Sequence, residues 1–339
     1  MTTELVTNGG IPPEPILPKE PENIAHILIL GGVESPAALF SASEALQTEL
    51  NKQDLRASAL HHGDSDTAMW LTEAGIELIS MAGLRNEGGE ASAIGFIGVN
   101  TIGAGDTESM ANRPYIHCVN GIRLGVVALA EQTSGIFNYR ADILSLAALD
   151  RVRMLLNQCD HVIVLVRAGL DQAELPLPEW RARYRRFIDA GASAVVDMGG
   201  AKGWETYKQG LVFYGLGTPT GSDSLGLFLS LQRNGKFTYE ARALQNTAGR
   251  LDFSVNDAFK QKINAQNLLL TNEKIYLRAA NEMCQRLYCQ MESAQKRGVL
   301  GLFSSRAEEE QRLLLLLENE SLRLMTLRAI RLKQEAERK

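Results

Sequence analysis

Residues 161–171, HVIVLVRAGLD, followed by 178–202, PEWRARYRRFIDAGASAVVDMGGAK, decide the fold. The run HVIVLV is short, apolar and rich in β-branched residues, the pattern of a strand buried on both faces. EWRARYRRFIDAGA mixes charged and apolar positions as an amphipathic helix does, and SAVVDM returns to a buried strand. Strand, helix and strand in that order make one α/β unit. Upstream, HILIL (26–30) leads through GGVESP into the helical AALFSASEALQTEL (37–50). LTEAGIELISMA (71–82), the strand RLGVVALA (123–130) and the helix ALDRVRMLLNQC (148–159) follow. Downstream, GLVFYGLG (210–217) adds a strand, and LGLFLSLQRNGKFTYEAR (225–242) alternates about Asn234-Gly235 as a hairpin does. The pattern predicts an α/β fold, a layered sheet covered by helices on both faces.

The chain has 339 residues, 45% hydrophobic and 22% charged, which excludes disordered, collagen-like and fibrous classes for the whole. A net charge of −5 opposes any global attraction to nucleic acid, so no nucleic-acid partner is expected. Cys118, Cys159, Cys284 and Cys289 form neither a disulfide framework nor a CxxC pair and read as reduced thiols. The first residues lack the basic and apolar regions of a secretory leader, and no apolar run is long enough to span a membrane. The expected location is the cytoplasm.

Prolines at 12, 13, 15, 18 and 21 make residues 1–23 a flexible or extended arm rather than a helix. The α/β domain is expected over 24–250, and a helical segment over 251–339. Residues 255–296 contain neither proline nor glycine and show helical periodicity, RGVLGLF interrupts them, and Ser304 or Ser305 is placed to cap a last helix. Glu308, Glu309 and Glu310 in its first turn suit the helix dipole, as do Arg and Lys toward its end. Leu313, Leu316, Leu317, Leu324, Leu327 and Ile330 form a stripe that either packs on the body or serves self-association or a protein partner.

Several local patterns have two readings each. Gly31-Gly32 is a tight turn or a phosphate cradle, although neither G-x-G-x-x-G nor a P-loop lysine is present. His61-His62-Gly63-Asp64-Ser65-Asp66 is a polar loop or half of a metal site. Arg181, Arg183, Arg185 and Arg186 are a solvated helix face or a grip for phosphate or an acidic polymer. No G-x-S-x-G elbow and no suggestive Cys/His pair marks a nucleophile.

Residues 80–218 taken together resemble a known family. ISMAGLRNEGG (79–89), NTIGAGDTESMANRP (100–114), RLGVVALA, HVIVLVRAGLD, the 178–202 stretch and WETYKQGLVFYGLG (204–217) occur in matching order and spacing. They are similar to the bacterial capsule-synthesis and poly-γ-glutamate-synthesis proteins, whose fold is metallophosphoesterase-like. Gly103-Ala104-Gly105, Asp189-Ala190-Gly191-Ala192 and the stretch from Glu205 to Gly217 carry the likeness best.

The resemblance implies a site at strand ends where an Asp, an Asn-Asn-His, a His-Trp-Gly-x-Glu and a Gly-His-His-Pro-His hold two metal ions that activate water against a phosphoryl centre. Here the Asp falls on Gly32 and Asn-Asn-His on Gly83-Leu84-Arg85. His-Trp-Gly-x-Glu falls on Arg167-Ala168-Gly169-Leu170-Asp171, and the last histidines on Gly199 and Ala201. Glycine and alanine offer no ligand, and a guanidinium offers only donors. No metal or other cofactor is expected. The implied reading is a non-catalytic relative, a pseudoenzyme that binds or scaffolds in surface polysaccharide or poly-γ-glutamate biosynthesis.

The candidate residues of the altered cleft are Gly32, Arg85, Glu87, Arg167, Asp171, Asp197 and Lys202. Arg85 and Arg167 either grip an anionic small molecule or acidic polymer end, or pair with the carboxylates and fill the hole; Glu87, Asp171, Asp197 and Lys202 are expected at the rim. Two other readings stand beside this one. A hydrolase of phosphoesters or of an amide-linked polymer would rely on His61, His62, Asp64 or Asp66 as replacement ligands. A nucleotide or sugar-phosphate binding module would use Gly31-Gly32.

Overall fold

The computed structural model describes residues 23–33, 41–61, 65–83, 99–105, 107–131, 145–298, 310, 313–314 and 316–338. Two sheets pack face to face. The first runs β2 (Ser41–Ala42), β14 (Arg250–Phe253), β13 (Phe237–Thr247), β12 (Asp223–Gln232), β1 (Ile24–Val33), β3 (Leu55–Leu60), β4 (Leu78–Ser80), β5 (Asn100–Ile102). The second runs β10 (Trp204–Tyr207), β11 (Gly210–Phe213), β9 (Ala194–Asp197), β8 (His161–Arg167), β7 (Ile122–Ala130), β6 (Tyr115–Val119). β1, β3, β4 and β5 are parallel, as are β7, β8, β9 and β11. Each parallel block therefore ends at one mouth, where binding residues collect in such folds.

Strand alternation assigns each side chain to a layer. In β1, Ala25, Ile27 and Ile29 face the second sheet, meeting Leu124, Val126, Ile163, Leu165, Val196 and Phe213. Leu28, Leu30 and Val33 point outward onto Leu46 and Leu50 of α1 (Glu44–Leu50) and Leu71 of α2 (Ser65–Glu73). Val162, Val164 and Val166 of β8 point the other way, under Val152 of α4 (Leu146–Leu155) and Trp180, Tyr184 and Phe187 of α5 (Pro178–Asp189). The predicted layers thus comprise two sheets, each with helices on its outer face. A short α3 (Glu108–Ala111) lies before β6.

His161 ties the sheets together. Its Nε2 lies 2.7 Å from the Gln232 carbonyl of β12, an acceptor only, so Nε2 carries the proton and Nδ1 accepts from the Ser193 hydroxyl at 2.9 Å.

Three local expectations change. The helix expected over 37–50 starts at Glu44, where Ser43 caps it by accepting from the Leu46 amide, while Ser41–Ala42 pair with β14; residues 34–40 lie outside the described residues. β14 carries the first sheet to Phe253, so the helices begin after the expected boundary at 251; they are α6 (Asp257–Leu270), α7 (Glu273–Gly298) and α8 (Glu320–Glu337) among the described residues, with Thr271 and Asn272 separating the first two. The last helix is capped by Asn319; Ser304 and Ser305 lie outside the described residues. The apolar side of α8 packs on the body through Met325 and Ala329, while Leu313, Leu317 and Leu327 are exposed.

Of the α5 arginines, Arg186 is exposed as a solvated face would have it, whereas Arg181, Arg183 and Arg185 are engaged in ion pairs and form neither a solvated face nor an open anion grip. Arg181 is buried, its guanidinium donating to Glu205, to Glu273 and to the Leu270 carbonyl, and Arg185 also grips Glu205. Arg183 pairs with Glu320 at the start of α8. The cluster joins α5, β10 and the C-terminal helices.

Candidate functional site

The mouth forms where β1, β4, β8 and β9 end. The two sheets are stitched there by the Gly32 amide, which donates to the Met198 carbonyl at 3.1 Å. Gly31 is required by close approach: a Cβ there would lie 1.6 Å from the Gly217 carbonyl oxygen. The Gly31 carbonyl accepts from the Ser58 hydroxyl at 2.8 Å. The Gly31-Gly32 pair thus lies inside β1, with its backbone groups committed to neighbouring strands and turns rather than arrayed as a phosphate cradle.

A Cβ on Gly32 would fall 2.1 Å from Cε1 and Nε2 of His61, so the imidazole fills that position. A Cβ on Gly83 would lie 2.1 Å from Cγ of Arg167, whose stem crosses the end of β4. The guanidinium then reaches Gly199, where a Cβ would stand 2.6 Å from its Nη1 and 2.8 Å from Oδ1 of Asp171. Three glycines thus make room for one arginine, one histidine and one carboxylate.

Arg167 and Asp171 form a two-pronged pair, Nη1 to Oδ1 at 2.9 Å and Nη2 to Oδ2 at 2.6 Å. The Gly200 amide adds a donor to Asp171 Oδ1 at 2.8 Å. Burial alone would raise the Asp171 pKa, but the Arg167 hydrogen bonds and charge outweigh it and hold the carboxyl well below the usual range.

Beneath this pair lie Asp197 and Lys202, each only 2% exposed, so they floor the mouth rather than line its rim. Asp197 accepts from the Tyr184 hydroxyl at 2.5 Å and the Gly199 amide at 2.8 Å. Burial pushes its pKa up to about 6 against the opposing pull of Lys202, Tyr184 and Arg167. Burial likewise pushes the Lys202 ammonium down, opposed by Asp197 and Asp171, and Lys202 donates to the Gly200 carbonyl at 3.1 Å. A cavity beside them, touching Gly169, Trp180, Tyr184, Asp197, Lys202 and Tyr214, measures about 10 Å³. That is about one water at most, so no organic ligand fits below the ion pair.

Of the predicted residues, the structure brings together Gly32, Arg167, Asp171, Asp197 and Lys202; Arg85 and Glu87 lie outside the described residues. His62, Gly63 and Asp64 also lie outside them, and His61 is buried against Gly32. Two residues that local reading passed over belong to the site, Tyr184 and Glu131. The signal for Glu131 was present in sequence, an acidic residue immediately after an apolar strand whose neighbour ends in Arg167.

These donors do not fit a pair of divalent cations. The Arg167 guanidinium at this mouth offers donors only and cannot coordinate. Among the described residues no three His, Cys, Asp or Glu side chains converge as metal ligands. No helix among them is long and apolar enough to cross a membrane.

Among solved structures, a phosphatase from Mycoplasma pneumoniae is similar at 12% identity and TM-score 0.48, over 66% of this chain and 94% of that one. A hypothetical protein from Thermus thermophilus gives 14% and 0.47, over 66% and 100%. A putative 5′-nucleotidase from Staphylococcus aureus in complex with alpha-ketoglutarate gives 12% and 0.43, over 71% and 58%. Likenesses this remote carry no statement about chemistry. No curated protein matches the chain. Residues 44–218, more than half of the chain, match the family described as bacterial capsule synthesis protein PGA_cap, and the chain belongs to that family.

Proposed function

We propose that this protein serves the synthesis of a surface polysaccharide or poly-γ-glutamate as a non-hydrolytic binding or scaffolding component. The observation that carries the reading is the Arg167–Asp171 pair lying across Gly83 and Gly199, in the place where the family resemblance puts metal ligands. Among the described residues Arg167 and Lys202 face Asp171 and Asp197, so the mouth has no excess positive charge to draw an anion. That favours the filled-hole reading of the arginine over an anion grip. The binding role is then expected on the outer surfaces, with a protein partner of the polymer-making machinery.

Protein purified without chelator, analysed for bound metals and assayed on p-nitrophenyl phosphate with added manganese, should carry no stoichiometric transition metal and release no phosphate. One or two bound ions per chain, or turnover that follows metal loading, overturns the non-hydrolytic assignment. Deleting the gene in its own host should lower surface polymer, and the Arg167→Ala protein should restore it. Unchanged polymer in the deletion overturns the biosynthetic role.

A further inference from the structure

Glu131 follows β7 directly and is buried, 7% exposed. Its amide donates to the Arg167 carbonyl at 2.9 Å, and its carboxylate accepts from the Gly169 amide at 3.1 Å. The remaining acceptor capacity is taken by α8. The Ser321 hydroxyl donates to Oε2 at 2.7 Å, the Ser321 amide donates to Oε1, and the Trp180 indole donates in turn to the Ser321 oxygen at 2.7 Å. No cationic side chain among the described residues pairs with Glu131. Its charge is met by the first turn of an eighteen-residue helix, whose free amides and dipole favour an anion there.

We propose that α8 is an intramolecular clasp: seated on Glu131, its N-terminus holds the Arg167–Asp171 turn in the conformation that closes the mouth, and its departure loosens that turn. The coupling is physical because the same carboxylate takes hydrogen bonds from Gly169 and from Ser321. With α8 gone, a buried carboxylate loses two of its three donors and must reach water, and the turn that shields it must move. Gly169, at φ +85°, sits in the middle of that turn, between Arg167 and its partner Asp171.

The clasp has further grips on the same face. Glu320 pairs with Arg183 at 2.8 Å, and Arg328 donates to Glu179 at 2.5 Å and to Asn281 at 3.0 Å. Met325 and Ala329 enter the core shared with Trp180 and Met283. Burial raises the Glu131 pKa, opposed by the Ser321 and Gly169 hydrogen bonds, and Glu320 adds a like charge. The seat therefore depends on the donors that α8 supplies.

The test is hydrogen exchange on the full chain carrying Glu320→Lys and Ser321→Ala, which weaken the clasp from its own side without touching Glu131 or the turn. Peptides within 320–328 and within 167–172 should both exchange at least tenfold faster, while the β12–β13 hairpin keeps its rate. Faster exchange in 320–328 with an unchanged 167–172 overturns the coupling, and unchanged exchange in 320–328 overturns the seat. If the doubly changed chain does not fold, Glu131→Gln provides the second measurement, because it keeps shape and removes the charge. It should speed exchange in the same two segments by a smaller factor, and equal protection in both segments overturns the proposal. None of these readouts involves metal content or polymer, so they stand apart from the functional assignment above.

Discussion

The imidazole of His61 occupies the space that any side chain on Gly32 would need, with Cε1 and Nε2 each 2.1 Å from the position of an added Cβ. Two positions separated along the chain, at the ends of the adjacent parallel strands β1 and β3, thus share one space. Placing an aspartate at the first therefore demands room at the second. Gly32→Asp should destabilise the fold by about 1–3 kcal/mol, the usual cost of overpacking. Adding His61→Ala to that variant should recover part of the loss. Urea denaturation of the single and double variants checks this, and a double variant no more stable than Gly32→Asp alone would show that the ring is not the obstruction.

Arg167 and Asp171 should couple weakly but measurably. The Asp171 side chain is 44% exposed against 17% for Arg167, so solvent screens the pair. A double-mutant cycle with Arg167→Ala and Asp171→Asn should return about 1 kcal/mol or less, shrinking at high salt. The Asp171 pKa is depressed in the folded state, so its contribution is complete above the ordinary value of 3.8 and lost as pH falls through the folded value. A cycle energy that grew as pH dropped below 4 would contradict the pairing.

His161 should make the fold sensitive to mild acid. Burial lowers its pKa from the ordinary 6.5, opposed by the Gln232 hydrogen bond and by Asp160. A depressed folded pKa means that the unfolded chain takes the proton first, so stability is full above about pH 6.5 and declines as pH falls through the folded value. The stability advantage of the native chain over His161→Asn, read as the difference in Tm, should narrow between pH 7.5 and 5. A constant difference would mean that the ring does not titrate in this range.

Arg181 is the most demanding of the α5 arginines. Its side chain is 3% exposed, and the Glu205 carboxylate it grips, 10% exposed, has its pKa held at about 2: burial raises it, but hydrogen bonds from Arg185, Arg181 and Tyr214 outweigh that. Arg181→Ala should cost about 3–5 kcal/mol, since it strips one partner from a buried ionic cluster. Arg181→Lys keeps the charge but cannot bridge Glu205, Glu273 and the Leu270 carbonyl together, so an intermediate loss is expected. Guanidinium denaturation measures both, and a loss below 1 kcal/mol for alanine would remove the structural role argued for this cluster.

Much of the architecture was legible from local pattern. The strands at 122–130, 161–167, 194–197 and 210–213, the helix at 178–189 and the hairpin about Asn234-Gly235 follow from apolar runs, helical mixing and a turn pair. These signals are local, since a buried parallel strand announces itself by its own composition. The helix starts later than local pattern suggests because Ser41 and Ala42 pair with β14, more than 200 positions away. The fate of the α5 arginines was equally hidden, because their acceptors come from β10, α7 and α8.

The sequence by itself determined which residue types stand at the mouth. Glycine and alanine carry no ligating atom and a guanidinium offers donors only, whatever the geometry around them. Only the tertiary structure decided what those residues do there. The direction of a long side chain depends on what surrounds it, and here the space left by Gly83 and Gly199 lies beside Asp171, so Arg167 spans it and pairs with that carboxylate. The burial of Asp197 and Lys202 and the seating of α8 on Glu131 arise in the same way, from segments distant along the chain whose meeting no local pattern encodes.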